Sequence, residues 1–265
     1  WQESPILDLS TSIVTAGRLP EPLDQADLTN RDAILCVARK VFNRRPNLVA
    51  QVETQPGPVV IKWFGWRHPA HFYLSPTFPG RAWTSWEVAR ILDKVAARTP
   101  RPIYVYTRRR RGFILENFFI TECINPHQTL RAFLKSDVSS QMMEKAVKDL
   151  ALSIARMHRG GIQHGDLTTA NFLVDELGKV FIVDLNRARL RPHLSHRHRL
   201  IDLARLAFAA RDPELEVHLT HKFFQVYGAE TCAAIDWENG YRDYRRRLLI
   251  MRGRKKRLRG LIRRK

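Results

Sequence analysis

The feature that most constrains this chain is a set of polar residues at fixed spacing: His164-Gly165-Asp166-Leu167-Thr168-Thr169-Ala170-Asn171, then Ile182-Val183-Asp184. The stretch before it, Ser139 to Arg159, carries apolar residues three to four apart and stops at Gly160-Gly161, the pattern of an amphipathic helix with a glycine terminator. Two short apolar runs, Asn171 to Val174 and Val180 to Val183, flank Asp175-Glu176-Leu177-Gly178, which reads as a hairpin turn. Asp166 therefore falls on a loop, Asn171 begins the hairpin and Asp184 returns at its far end. A lone His-Gly-Asp is often only a turn, and an Asp closing a strand is often only a cap. The ordered combination, with a strand hairpin between Asn171 and Asp184, goes beyond both.

Transfer of a γ-phosphoryl group needs little covalent help, but it needs metal ions that neutralise developing charge and a carboxylate that orients the attacking hydroxyl. The spacing suits both. Asp166 is expected to orient the acceptor, and Asn171 and Asp184 to bind Mg²⁺, a hard cation that prefers oxygen ligands, together with ATP. Upstream, Val59-Val60-Ile61-Lys62 resembles the kinase strand V-A-I-K, whose lysine pairs with the α- and β-phosphates. Glu87, in the first turns of the next helical segment, is either the partner of Lys62 or a surface residue. No Gly-rich phosphate loop precedes Lys62; Asn43-Arg44-Arg45-Pro46-Asn47 occupies its place, and its arginines are expected to replace backbone amides as phosphate donors. Glu122-Cys123-Ile124 joins the two halves where kinases hold adenine, so backbone groups of Glu122 and Ile124 are candidate nucleotide contacts. Asp202 resembles the buried aspartate that hydrogen-bonds the catalytic-loop backbone. His193, His196 and His198 lie among arginines with no carboxylates nearby, which suits a basic substrate-side loop better than a metal site.

These elements predict an α+β, two-lobed protein-kinase-like fold: a small antiparallel β lobe with one main helix, and a larger, mostly helical lobe. Residues 1–28 are expected to be an arm, loose over the first 25, residues 29–122 an ATP-binding lobe, residues 123–241 a catalytic lobe and residues 242–265 a basic tail. Within the first lobe, Thr29-Asn30-Arg31-Asp32 resembles a capping box opening a short helix through Val41. Leu48–Thr54 and Val59–Phe64 form a hairpin, Pro69–Gly80 a Pro-rich loop, and Val88 to Ala96 one face of a helix. Ile103–Tyr106 and Phe113–Glu122 are strands joined by an arginine-rich turn. Leu200–Ala210, Leu215–Tyr227 and the tail are expected to be helical.

Charge then narrows the partners. Lys and Arg number 45 against 26 Asp and Glu, a net charge of +19, and residues 242–265 hold 13 basic residues and one acidic one. Such a balance calls for an anionic partner: a membrane surface, a phosphorylated substrate or, less favoured, nucleic acid. No apolar run reaches the roughly 18 residues of a bilayer span and the amino terminus lacks a signal-peptide pattern, so a cytoplasmic location is expected. Cys36, Cys123 and Cys232 are widely spaced and read as reduced bystanders.

The order of motifs resembles the lipopolysaccharide kinase (Kdo/WaaP) family, over roughly residues 29 to 215. The resemblance rests on Val60-Ile61-Lys62-Trp63-Phe64, the Arg81 to Leu92 helix with Ser85-Trp86, Pro100-Arg101-Pro102, and Phe119-Ile120-Thr121-Glu122. It also rests on His164 to Val174 and Ile182-Val183-Asp184-Leu185-Asn186-Arg187. It implies ATP-dependent phosphorylation of a Kdo or heptose sugar of the lipopolysaccharide inner core. The acceptor would be an anionic glycolipid at the inner membrane, and the protein would be held there peripherally by its basic tail at about 1 kcal/mol per basic residue. Two other readings use the same motif: a small atypical protein kinase or ATPase resembling the KEOPS-complex or RIO type, and a basic pseudokinase binding module. Retention of Lys62, Asp166, Asn171 and Asp184 argues against the last, since charge alone would suffice for binding.

Overall fold

The computed structural model describes residues 11–25, 27–66, 69–231 and 235–262, with side chains described only in part beyond Met251. The chain divides into two compact units: residues up to Arg90 together with Pro100–Cys123, and Ile91–Thr99 together with residues from Ile124 onward. The break at Cys123/Ile124 falls in the segment expected to join the lobes.

The first unit is built on one six-stranded antiparallel sheet, in the order β1-β5-β6-β4-β3-β2. Its strands are β1 (Thr11–Gly17), β2 (Lys40–Asn43), β3 (Leu48–Val52), β4 (Val59–Trp63), β5 (Pro102–Arg110) and β6 (Phe113–Glu122). Strand alternation sends every second residue to one face. Leu48, Ala50 and Val52 on β3 and Val59 and Ile61 on β4 are buried with Leu23, Leu28, Ile34, Phe118 and Ile120. Lys62, opposite Phe119 in the ladder, points to the other face of β4 from Ile61. Helix α1 (Arg31–Val37) is capped by Asn30, whose side chain accepts the Asp32 N–H; Thr29 instead donates its hydroxyl to Asp27. The helix stops at Val37, and Val41 belongs to β2.

Three expectations for this unit are corrected. Thr11–Gly17 is not part of a loose arm: it pairs along β5 from Thr11/Arg110 to Gly17/Tyr104. Arg108, Arg109 and Arg110 do not make a turn but extend β5, and the turn itself is Arg111-Gly112, both at positive φ. Two of the arginines find acceptors within the unit: Arg108 lies against the Glu116 carboxylate across the ladder, and Arg109 donates to the carbonyls of Ser75, Phe78 and Gly112. Within the Pro-rich loop, Pro69–Tyr73 forms a short helix, α2. Helix α3 (Arg81–Lys94) then buries Ala82, Trp86, Val88, Ala89 and Leu92, and carries the chain from the first unit into the second.

In the second unit, α4 (Leu130–Phe133) precedes α5 (Ser140–Arg159), which is capped by Ser139 and buries Met143, Ala146, Val147, Leu150, Ala151, Ile154 and Met157. A three-stranded sheet in the order β10-β9-β7 combines β7 (His127–Thr129), β9 (Phe172–Asp175) and β10 (Val180–Ile182). The expected hairpin is therefore present, with Ile182 paired to Phe172. Asp149 of α5 accepts the Val180 N–H at 2.8 Å and both of its oxygens contact Arg98; Thr99 donates its hydroxyl to the Ile182 carbonyl. A two-residue ladder joins β8 (Ile162–Gln163) to β11 (Arg189–Leu190). Helix α6 is His196–Leu203 rather than Leu200–Ala210, so His196 and His198 lie on a helix, not in a loop. Helix α7 (Pro213–Thr231) packs on α5, and α8 (Trp237–Ile262) carries the backbone of much of the tail. Tyr241 of α8 donates its hydroxyl to the Leu206 carbonyl at 3.0 Å. Cys36 and Cys123 are not in a disulfide; Cys232, residues 1–10 and residues 263–265 lie outside the described residues. No described helix is long and apolar enough to cross a membrane.

Candidate active site

The loop between β8 and β9 is positioned from below by one buried carboxylate. Asp202, near the end of α6 and fully buried, accepts the His164 N–H at 2.5 Å on Oδ2 and the Gly165 N–H at 2.8 Å on Oδ1. Burial pushes its carboxyl up, but contacts with His158 and His164 and the Gly165 N–H outweigh this and hold it below the ordinary carboxylate range. The role expected for Asp202 is the one observed.

His164 links the loop to the far end of the hairpin. Its Nδ1 accepts the Asp166 N–H at 3.3 Å, which assigns the proton to Nε2, and Nε2 donates to the Val183 carbonyl at 3.1 Å. Burial pushes the imidazole pKa down, so the ring is held neutral. Behind it, His158 is also fully buried and held neutral by burial; its Nδ1 meets the Tyr227 hydroxyl at 2.8 Å and its Nε2 stands 3.6 Å from Asp202. Gly165 sits at φ +77°, and a Cβ there would lie 2.7 Å from the Arg187 carbonyl oxygen. Only glycine meets both demands.

Asp166, Asn171 and Asp184 are brought together by this scaffold. The Asp166 carbonyl accepts both the Thr168 N–H and the Asn171 side-chain N–H at 2.8 Å, and the Asn171 carbonyl accepts the Val183 N–H at 3.0 Å. With its amide nitrogen engaged, Asn171 is left with Oδ1 as its side-chain ligand atom. Asp184 does not close β10, which ends at Ile182; it adopts the left-handed conformation at φ 64°. That region is disfavoured for most L-residues but open to aspartate. The Asn186 side-chain amide donates to its Oδ1.

Two arginines not singled out by the spacing argument converge on Asp166. Arg187 Nη1 is 3.0 Å from Oδ2, and Arg205 Nη1 is 3.5 Å from Oδ1. Arg187 belongs to a visible basic cluster, but Arg205 follows α6, and no sequence signal places it against a loop 39 positions earlier.

The other candidates lie in the first unit, except Ile124. Lys62 stands with its ammonium 5.3 Å from the Phe64 ring centroid. Glu87 is half-buried on α3, its carboxylate 4.0 Å from Arg90. Glu122 exchanges backbone and side-chain contacts with Arg101, accepting the Arg101 N–H on Oε1 at 2.8 Å and donating its own N–H to the Arg101 carbonyl at 3.0 Å. The Ile124 carbonyl accepts from the His127 ring. In the β2–β3 turn, Arg31 donates to the Arg44 carbonyl and Arg81 to the Asn47 side chain. Among the described residues, no group of three His, Cys, Asp or Glu side chains is arranged to hold a metal; an ion held by Asn171 and Asp184 would have few protein ligands. That donor set fits Mg²⁺, which keeps several waters and substrate phosphate oxygens, and does not fit a closed zinc site.

Comparison with known proteins places the chain among related kinases. A 3-deoxy-D-manno-octulosonic acid kinase of Vibrio vulnificus (strain YJ016) is 22% identical over 155 residues, 58% of this chain and 64% of that protein. The lipopolysaccharide core heptose(I) kinase WaaP of Pseudomonas aeruginosa is 26% identical over 176 residues, 62% of this chain and 65% of that protein. The matches thus span somewhat less than two thirds of these relatives. The solved structure described as WaaP in complex with acyl carrier protein superposes with a TM-score of 0.60 at 21% identity, covering 93% of this chain and 99% of that one, which shows a shared two-lobed, kinase-like fold. The model of the lipopolysaccharide kinase (Kdo/WaaP) family matches residues 66–227, a span that contains the Asp166 loop, the hairpin and Asp202. The chain belongs to the lipopolysaccharide kinase (Kdo/WaaP) family.

Proposed function

We propose that this protein is an ATP-dependent kinase that phosphorylates a hydroxyl of a Kdo or heptose sugar of the lipopolysaccharide core, at the cytoplasmic face of the inner membrane. The observation that carries the proposal is the placement of Asp166 and Asn171 on a loop whose backbone is fixed by a buried aspartate and a neutral histidine, with Asp184 at the far end of the hairpin that follows. In this reading Asp166 orients the sugar hydroxyl and accepts its proton as the bond to phosphorus forms. Asn171 Oδ1 and the Asp184 carboxylate would hold Mg²⁺, which would neutralise charge developing on the transferred phosphoryl group. Lys62 positions the α- and β-phosphates of ATP, and backbone groups of Glu122 and Ile124 receive the adenine; Glu87, whose carboxylate faces Arg90, is left as a surface residue of α3. Arg44 and Arg45 serve as phosphate donors in place of a Gly-rich loop. The basic tail holds the protein at an anionic membrane, where its glycolipid acceptor resides.

The test is incubation of the full chain with ATP, Mg²⁺ and purified core oligosaccharide lacking the phosphate. Asp166→Ala is expected to lose turnover while nucleotide affinity stays within about twofold, because it removes an interaction with the acceptor and not with ATP. Turnover of core sugar by Asp166→Ala at the wild-type rate would overturn the assignment. Truncation before Arg252 is expected to weaken binding to anionic vesicles and leave ATP binding intact.

A further inference from the structure

The Asp166 carboxylate carries more positive charge than it needs. One guanidinium would neutralise it, yet Arg187 lies on Oδ2 and Arg205 on Oδ1, giving a cluster of net charge +1. Among the described residues, no second carboxylate lies within ion-pair distance of either arginine. A half-exposed ion pair contributes little to stability, so stability is a weak reason for a second arginine here. The side chains of Arg187, Arg205 and Asp166 are 51%, 29% and 26% exposed, so the cluster faces solvent and can be reached.

The backbone that carries the three side chains is also fixed. Gly165 lets the Arg187 carbonyl approach the loop closely, and Asp202 holds the Gly165 N–H on its side chain while its own carbonyl accepts the Arg205 N–H at 3.1 Å. Each guanidinium offers five N–H donors in a planar fork; Arg187 gives one to Asp166 and Arg205 makes only the longer 3.5 Å ion pair, and the remaining donors match the spacing of a carboxylate or phosphate.

We propose that Arg187 and Arg205 form an oxyanion subsite beside Asp166, and that the acceptor is a sugar bearing a carboxylate or phosphate close to the hydroxyl that reacts. The proposal rests on the kinase reading above and narrows its substrate class to acidic sugars. The oxyanion takes the outward donors of the two guanidiniums and thereby sets the neighbouring hydroxyl against Asp166. A neutral sugar of the same shape would cover the cluster without compensating its charge, and a site built for a polar group rejects ligands that lack it.

The experiment measures transfer from ATP to a 3-deoxy-D-manno-octulosonic acid glycoside, its methyl ester, a neutral heptose and a heptose phosphate. It uses wild type, Arg187→Gln, Arg205→Gln and the double variant. The KM for the acid is expected to be about 10- to 100-fold below that for the ester, the range for a hydrogen bond to a charged group, with kcat less affected. Each single variant shrinks that ratio and the double variant brings it near one; preference for heptose phosphate over heptose would identify phosphate as the oxyanion. Arg205→Lys, which keeps the charge but loses the fork, should give an intermediate ratio, and thermal melts identify any variant that fails to fold. Equal use of acid and ester by wild type, or an unchanged ratio in the folded double variant, overturns the subsite and leaves the kinase reading standing. Calorimetric binding of the acid that is lost in the variants, with no transfer to any acceptor, supports the subsite and overturns the kinase reading. Neither binding nor transfer overturns both.

Discussion

Replacing Asp202 by alanine removes the acceptor of two buried N–H groups at once, those of His164 and Gly165. Each buried donor left unsatisfied costs about 1–3 kcal/mol, so Asp202→Ala should lose about 2–6 kcal/mol. Set against a domain stability of about 5–15 kcal/mol, that is a large fraction. Asn at the same position keeps one carbonyl oxygen and faces the second N–H with its own amide, so about half of the loss should remain. Urea unfolding followed by tryptophan fluorescence measures both variants, and phosphoryl transfer measures whether the Asp166 loop still holds its geometry. Transfer should fall in the folded fraction as well as in the total, because the loop that presents Asp166 has lost its anchor. A loss of under about 1 kcal/mol for Asp202→Ala would mean that the two N–H groups find other partners, and the account of the loop would fail.

Acid should destabilise the fold through its buried histidines. Burial lowers the pKa of His158 and His164 in the native state, so below the unfolded histidine value near 6.5 the unfolded chain binds protons that the native chain refuses. Their contribution is therefore present above that pH and is lost as pH falls, at up to about 1.4 kcal/mol per pH unit for each histidine; the lowered Asp202 adds a loss of the same sign below about pH 4. Unfolding midpoints at pH 7.5, 6 and 5 test this, and a His164→Asn variant with the same pH slope as wild type would refute it. Gly165→Ala combines a left-handed backbone with a 2.7 Å contact to the Arg187 carbonyl, so it should cost more than the roughly 1–2 kcal/mol of the conformation alone and should reduce transfer. A thermal melt matching wild type would show that the loop can open there without loss.

Much of the Asp166 loop and the hairpin could be read from sequence because their positions follow from local rules. Glycine turns, a capped helix ended by Gly160 and two apolar runs around Asp175–Gly178 place Asn171 and Asp184 at opposite ends of a hairpin. The β3–β4 hairpin was equally clear, since Leu48, Ala50, Val52, Val59 and Ile61 alternate inward. What was hidden depends on partners distant in sequence. Strand β1 leaves Ile13 and Val14 exposed and so shows no buried alternation; it exists because β5 offers it an edge. Arg108 to Arg110 look like a turn until Glu116 and the carbonyls of Ser75 and Phe78 are placed around them. The two-residue ladder of β8 and β11 is too short for any period, and Arg205 reaches Asp166 only because α6 folds back under the loop.

The most direct test of the central claim is mass spectrometry of purified, unphosphorylated core oligosaccharide after incubation with the full chain, ATP and Mg²⁺, with Asp166→Ala and Asp184→Ala in parallel. The account predicts one added phosphate on a Kdo or heptose with the wild-type protein and none with either variant. ATP binding should be retained in Asp166→Ala. Nucleotide bound and hydrolysed with no phosphate on any sugar, or a sugar phosphorylated equally by Asp166→Ala, would contradict it.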